Sequence, residues 1–327
     1  MTRILRPSAL KRYKDTYREG DRILPVMERH VMRSIKENAE RDPGWMHPSD
    51  MVKPDWCGRH DYYRIIGTPV EKTSQRNPSF RMNNVFAEGH AIHGKYQQWL
   101  WEMGVLFGMW QCLECDHRFG ALSPERCQFC LSNRIIYKEV PLRRNRHMVE
   151  GHADAAVHGL EGWDGLVEVK SIGIRTMAFE APRLYQRYLN GEAAEDIWWK
   201  IQRPFPTHMR QGQLYLWMTW PRYEEIAFIY ESKFHQQTKE FVVRYNKAYI
   251  AHLLEGAMEV AQGVRTGHVP DRPHWAEDPE GKVCNSCEYR STCWQLGAPD
   301  GAEETTQTTA SVKRGSAARR RRALRKT

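Results

Sequence analysis

The apolar residues of the chain change their spacing several times, and each change predicts an element. Over residues 20–38 they fall at helical intervals (Ile23, Leu24, Met27, Val31, Ile35), and a polar, Pro-containing stretch follows. A second helical pattern covers residues 84–103, with Val85, Ile92, Tyr96, Trp99 and Leu100 at three- and four-residue steps. Beyond residue 133 the pattern turns strand-like, over 135–140, 148–157 and 166–172. The last two are joined through a turn-rich stretch, 159–165, which predicts a hairpin. Helical spacing returns over 175–188 and 208–220, the latter stopped by Pro221. Residues 226–232 and 240–245 read as strands, and 248–263 as a helix with Leu253, Leu254, Met258 and Val260 periodic. The order predicts a mixed α/β core without internal repeats.

Composition changes this picture little. At 327 residues, 41% apolar and 27% charged, the chain suits one large domain or a core with an insertion. No apolar run approaches the roughly 20 residues of a membrane helix. The first twenty residues are basic but lack an apolar stretch, and Asp15 and Glu19 argue against a transit peptide, so the expectation is a cytoplasmic protein without membrane contact. Charge is more informative. Residues 301–327 carry eight Lys/Arg against Glu303 and Glu304, which accounts for +6 of the net +9. This tail is expected to be disordered, and reads either as a phosphate-seeking arm or as a solubilising extension.

The eight cysteines sort by spacing into two sets of four. Cys112, Cys115, Cys127 and Cys130 form paired CxxC knuckles eleven residues apart, the pattern of a zinc ribbon whose small unit needs the metal to fold. Cys284, Cys287 and Cys293, with the remote Cys57, offer thiolates alone, and fit an iron–sulfur cluster or zinc. Such a site would close a chain loop of more than two hundred residues.

The catalytic clue is Gly151-His152-Ala153-Asp154, followed fourteen residues after Asp154 by Glu168-Val169-Lys170. Alternation on a strand puts Glu168 and Lys170 on one face, with Val167 and Val169 on the other, and a hairpin brings Asp154 beside them. Two carboxylates and an ammonium at one sheet edge suit phosphodiester hydrolysis. Hard oxygens hold Mg²⁺ or Mn²⁺, and Lys170 either positions the nucleophilic water or offsets developing charge. Two further elements join them: Gly89-His90-Ala91-Ile92-His93 on the helix before the knuckles, and Gln211-x3-Tyr215, which share a helical face at i,i+4.

The order Gly-x3-His, Gly-x-x-Asp, Glu-x-Lys, Gln-x3-Tyr resembles the RecB-like PD-(D/E)-X-K nucleases. It is most similar to the compact, helicase-free, CRISPR-associated exonucleases and their phage-borne relatives. Cys57-x-Arg59-x3-Tyr63 and the closing C-x2-C-x5-C resemble that family too, and the resemblance spans residues 50–295. It implies a restriction-endonuclease-like mixed-sheet core flanked by helices, with the ends stapled by a [4Fe–4S] cluster on Cys57, Cys284, Cys287 and Cys293. It implies metal ligation by His93, Asp154 and Glu168, a catalytic Lys170, and Gln211 and Tyr215 contacting nucleic acid or supporting the site. His90 competes with His93, and Glu150 is a further acidic candidate. The knuckles depart from the compact relatives and read as an inserted zinc ribbon. The domain expectation is an N-terminal helical segment (1–50), a nuclease core (51–109 and 134–296), the ribbon (110–133) and the tail (297–327).

The resemblance further implies a DNA exonuclease acting at single-stranded or frayed ends with 5′-to-3′ polarity. Its settings are recombination, repair, or phage and CRISPR DNA processing, with recombination, helicase or CRISPR-adaptation proteins as partners. No phosphate-loop motif accompanies it. The alternatives are a non-catalytic DNA-binding scaffold with two metal modules and a structure-specific endonuclease on the same fold. Trp198 and Trp199, beside Lys200, Arg203 and Pro204, could stack unpaired bases, although most of the twelve tryptophans are expected in the core.

Overall fold

The computed structural model describes residues 23–34, 42–70 and 79–295. The basic tail and the ends of the first expected helix lie outside them. Within them the longer helices begin with α1 (Leu24–Ser34), α2 (Gly58–Ile65) and α3 (Phe80–Glu102), the last started by Ser79, whose hydroxyl accepts the Met82 N–H at 3.3 Å. Strands β1 (Leu106–Cys112), β2 (Arg118–Leu122), β3 (Ile135–Tyr137), β4 (Val140–Arg144), β5 (Val149–Ala153), β6 (Ala155–Leu160) and β7 (Trp163–Ile172) follow. Next come α4 (Ile174–Glu180), α5 (Pro182–Leu189), α6 (Ala194–Trp199) and α7 (Pro206–Thr219), then β8 (Glu225–Ser232), β9 (Thr238–Arg244) and α8 (Ala251–Thr266).

A seven-stranded mixed sheet runs β2-β1-β6-β7-β8-β9, with β3 on β1. Only β7 and β8 are parallel among its pairs, and β4 with β5 forms a separate two-stranded ribbon. The chain is therefore a mixed α/β protein whose sheet is flanked by helices. Alternation along β7 divides the core as expected. Val167 and Val169 join Tyr96 of α3 on one face, while Leu166 and Ile172 join Leu214 and Leu216 of α7 on the other. Glu168 and Lys170 share the parity of the second group.

Three expected elements are each divided, for local reasons. The strand at 135–140 breaks at Glu139, whose φ of 59° turns the chain between β3 and β4. The strand at 148–157 changes partner at Asp154, so that β5 pairs with β4 and β6 with β7. The helix at 175–188 is interrupted by Pro182, which has no N–H to donate and pushes Ala181 out of helical geometry. The first knuckle is carried on β1, which also pairs with β6, so the cysteine-bearing segment continues the central sheet rather than standing apart from it.

The tryptophan expectation requires correction. Trp198 is fully buried in the main core, Lys200 pairs with Glu192, and only Trp199 is exposed, with the Lys239 ammonium 5.1 Å from its ring. No open stacking pair exists there, because α6 turns Trp198 inward among apolar neighbours.

Candidate active site and cysteine centres

The partner change at Asp154 puts its side chain beside β7. One carboxylate oxygen accepts the Val169 backbone N–H at 2.7 Å, and the other lies 3.2 Å from His93 Nδ1. Lys170 Nζ donates to Glu168 Oε1 at 2.7 Å and to Gln211 Oε1 at 2.8 Å. Gln211 Nε2 in turn donates to the Tyr215 hydroxyl at 2.8 Å. All six side chains expected from the sequence thus form two hydrogen-bonded chains between α3 and α7, but on β7 in the interior of the sheet, paired on both sides by β6 and β8, and not at the sheet edge that was expected. Gly151 belongs to this packing, since a Cβ there would come within 3.1 Å of Pro48 and 3.4 Å of Tyr215.

Burial governs the charges. Glu168 is only 2% exposed, and its carboxyl is pushed up to about 7 by burial, then by Asp154, against the pull of Lys170. Burial alone would lower Lys170, yet the carboxylates of Glu168 and Asp154 outweigh it and hold the ammonium above its ordinary range. The same contest raises His93, where burial is outweighed by its hydrogen bond to Asp154 and by the surrounding carboxylates. Glu168 Oε2 is buried without a hydrogen-bond partner, an unfavourable state for a carboxylate oxygen that a ligand would relieve. Among the described residues, His93, Asp154 and Glu168 do not form a closed single-ion set of the kind that the CxxC cysteines make.

Two contributors were missed. Gln97 donates to the Asp154 carbonyl at 2.9 Å, and its place one helical turn beyond His93 was a usable signal. Glu139 is half-buried and pushed up to about 7 by burial and by Asp154, with His93 opposing, so it lies within electrostatic reach of the site. Only the chain reversal at this residue puts it there. Of the other candidates, Glu150 pairs with Arg143, and His90 lines the neighbouring cleft, which His93 also borders while it meets Asp154. That cleft has a volume of about 730 Å³, and Arg81, Arg175 and Lys233 line it together with Met82 and Phe86.

The likeness to known proteins is distant. No protein-family model matches the chain, and no curated protein matches it in sequence. Among solved structures, "Crystal structure of SSO0001" is similar at 12% identity and a TM-score of 0.36, over 83% of this chain and 95% of that one. An alkaline exonuclease, LHK-Exo from Laribacter hongkongensis, is similar at 13% identity and a TM-score of 0.34, over 69% of this chain and 90% of that one. LHK-Exo in complex with dAMP is similar at 11% identity and a TM-score of 0.35, with the same coverage.

Both cysteine sets converge. Cys112 and Cys130 Sγ lie 3.5 Å apart and Cys115 and Cys127 Sγ 3.7 Å apart, and all four ligand atoms lie within 4.8 Å of one another. Tetrahedral thiolates about 2.3 Å from one ion would be separated by roughly 3.8 Å. The backbone N–H groups of Glu114 and Phe129 donate to Cys112 and Cys127 Sγ, each at 3.4 Å, the arrangement of a metal knuckle. This set can hold a metal ion.

Cys57, Cys284, Cys287 and Cys293 line a separate hollow of about 400 Å³, walled by aromatics that include Trp56, Tyr63 and Trp294. Among the described residues they form no single-ion set of the kind made by the knuckles. Burial, then the neighbouring Cys293 and Cys287, pushes the Cys57 thiol up to about 11, although the His60 and Arg59 N–H groups oppose this. Arg59 ties α2 to the segment after α8, donating to the Pro270 carbonyl at 2.7 Å and to Cys293 Sγ at 3.8 Å.

Proposed function

We propose that this chain is a divalent-metal-dependent deoxyribonuclease that hydrolyses phosphodiester bonds at single-stranded or frayed DNA ends. The observation that carries the reading is the meeting of Asp154, Glu168, Lys170 and His93, with one Glu168 oxygen buried and unpaired. Carboxylate oxygens with one imidazole suit a hard or borderline cation, so His93, Asp154 and Glu168 would hold Mg²⁺ or Mn²⁺. When bound, the ion supplies Lewis acidity at the scissile phosphate.

The rest of the work falls to the chain. Lys170, kept cationic by Glu168 and Asp154, directs an N–H at the phosphate oxygens as their charge grows. Gln211 holds that ammonium in line, and Tyr215 fixes the Gln211 amide. Arg81, Arg175 and Lys233 attract the strand into the adjoining cleft through its phosphates. The knuckle sulfurs, at the spacing of one tetrahedral ion, would hold zinc. The hollow that gathers Cys57, Cys284, Cys287 and Cys293 suits a [4Fe–4S] cluster, held by the four thiols, that joins α2 to the segment after α8.

The test is cleavage of linear and circular single-stranded DNA, labelled at either end, by wild type and by Asp154→Ala and Lys170→Ala in Mg²⁺ or Mn²⁺. Metal-dependent loss of the linear substrate by wild type alone is the expected result. Equal degradation by all three proteins would reveal a contaminant, and no cleavage by any would leave a binding scaffold. Cutting of the circle would replace the end-trimming assignment with an endonuclease.

A further inference from the structure

A separate pocket of about 410 Å³ is lined by none of the residues of the site above. Its cations are Arg144, Arg146 and Lys247, with His147 among them, and no carboxylate lines it. Its walls are aromatic: Trp217, Trp220 and Tyr245. Three separate stretches of chain assemble it, namely the β4 end with the turn after it, the C-terminal end of α7, and the β9 exit.

The pocket is built rather than incidental. Arg144 Nη2 donates to the carbonyls of Trp217 at 2.7 Å and Trp220 at 3.2 Å, which fixes its guanidinium 5.6 Å from the Trp217 ring. Arg144 Nε is buried without a hydrogen-bond partner. Trp220 is 43% exposed, with its ring 5.0 Å from that of Tyr245, so an open aromatic face borders the cations. Burial first, and then the positive charges of Arg146, Arg144, Arg265 and Lys247, lower the His147 imidazole. Unneutralised cations next to an exposed indole match a ligand that is at once anionic and flat. A nucleotide has both properties, as its phosphate meets the cations and its base stacks on the ring.

We propose that this pocket is a non-catalytic subsite that holds one unpaired nucleotide of a DNA strand. Gln211 and Trp217 are six positions apart along α7, a rise of about 9 Å, so the subsite and the carboxylate site are within reach of one short oligonucleotide. The proposal rests on the nuclease reading only in taking the held strand to be the one that is cut. A free nucleotide offers the same chemistry, and the test separates it from a strand.

The experiment measures fluorescence anisotropy of a labelled single-stranded oligonucleotide with the full chain in EDTA, where cleavage is silent, over a series of salt concentrations. Trp220→Ala should weaken binding about 5- to 100-fold, the usual worth of one base stacked on an aromatic, whereas Trp220→Phe should keep most of the affinity. Arg146→Glu with Lys247→Glu should flatten the slope of log affinity against log salt by about 1.4, at roughly 0.7 per lost phosphate contact. Circular dichroism checks that each variant is folded. Unchanged affinity and slope in the variants would overturn the proposal, as would a Phe variant as weak as the Ala variant, or a wild type that binds no oligonucleotide. A mononucleotide that competes as strongly, per molecule, as the oligonucleotide would assign the pocket to free nucleotides and overturn the strand assignment. Because the cleavage assay is separate, loss of this subsite with cleavage intact differs from failure of the nuclease reading.

Discussion

One oxygen of Asp154 accepts the Val169 N–H at 2.7 Å while the other faces His93 at 3.2 Å, so this carboxylate both completes a buried strand and presents charge to the site. The two duties can be separated. Asp154→Asn can keep the Val169 bond through its amide oxygen, but it loses the charge. It should therefore retain near-wild-type stability in urea while metal-dependent cleavage falls at least about 100-fold. Asp154→Ala should be equally inactive and also lose about 1–3 kcal/mol, because the Val169 N–H is left buried and unpaired. If Asn proved as unstable as Ala, the Val169 bond would not be what Asp154 contributes to folding.

Gln211 accepts from the Lys170 ammonium at 2.8 Å, and under the proposed nuclease reading it acts as a positioning residue. Gln211→Leu should lower kcat by about 10- to 100-fold and leave KM close to wild type, as is usual when the support of an active group is removed. Gln211→Glu retains an acceptor and should recover much of the loss. An equal rise in KM for both variants would mean that Gln211 binds the strand directly.

The legibility of this site in the sequence followed from periodicity. Residues 168 and 170 were assigned to one face by strand alternation, and residues 211 and 215 by helical spacing, and both pairs meet as those periods require. The choice of His93 over His90 came from the resemblance and agrees with the bond to Asp154. Glu139 was illegible because a left-handed residue inside an apparently continuous strand leaves no periodic trace. The strands β1 and β2 were masked by the cysteine knuckles, one between them and one after β2. Trp198 and Trp199 share one local composition, and only the roll of α6 decides which is buried. The Trp220 pocket draws on three distant segments, a grouping that no local pattern encodes.

The two cysteine sets should part under mutation. Cys57→Ser should remove iron and the brown colour from anaerobically purified protein while leaving about one zinc per chain. Cys127→Ser should do the reverse, and should expose β1 and β2 to hydrogen exchange, because Cys112 and Cys127 are buried beside Phe119 at the end of the central sheet. Elemental analysis with absorption near 400 nm reads both outcomes. A colourless wild type with two zinc ions would refute the cluster assignment.

A final prediction concerns Asp61 of α2, which lines the Cys57 hollow. Its carboxylate is buried and accepts from Trp56 Nε1 at 2.8 Å and Arg64 Nη2 at 2.7 Å, while Arg64 also donates to the Trp45 carbonyl at 3.0 Å. Burial would raise its pKa, but His60, Arg64 and Trp56 together outweigh burial and hold it below the ordinary 3.8. A depressed folded-state value means that the stabilisation is fully present above the unfolded pKa and is lost as the pH falls through the folded one. Unfolding free energy should therefore drop below about pH 4 more steeply in wild type than in Asp61→Asn. At pH 7, Asp61→Ala should cost about 3–5 kcal/mol, since Arg64 is left partly buried without its carboxylate. Urea titrations between pH 3 and pH 7 would test both statements, and parallel acid limbs in wild type and Asp61→Asn would show that this carboxylate does not set the acid sensitivity of the fold.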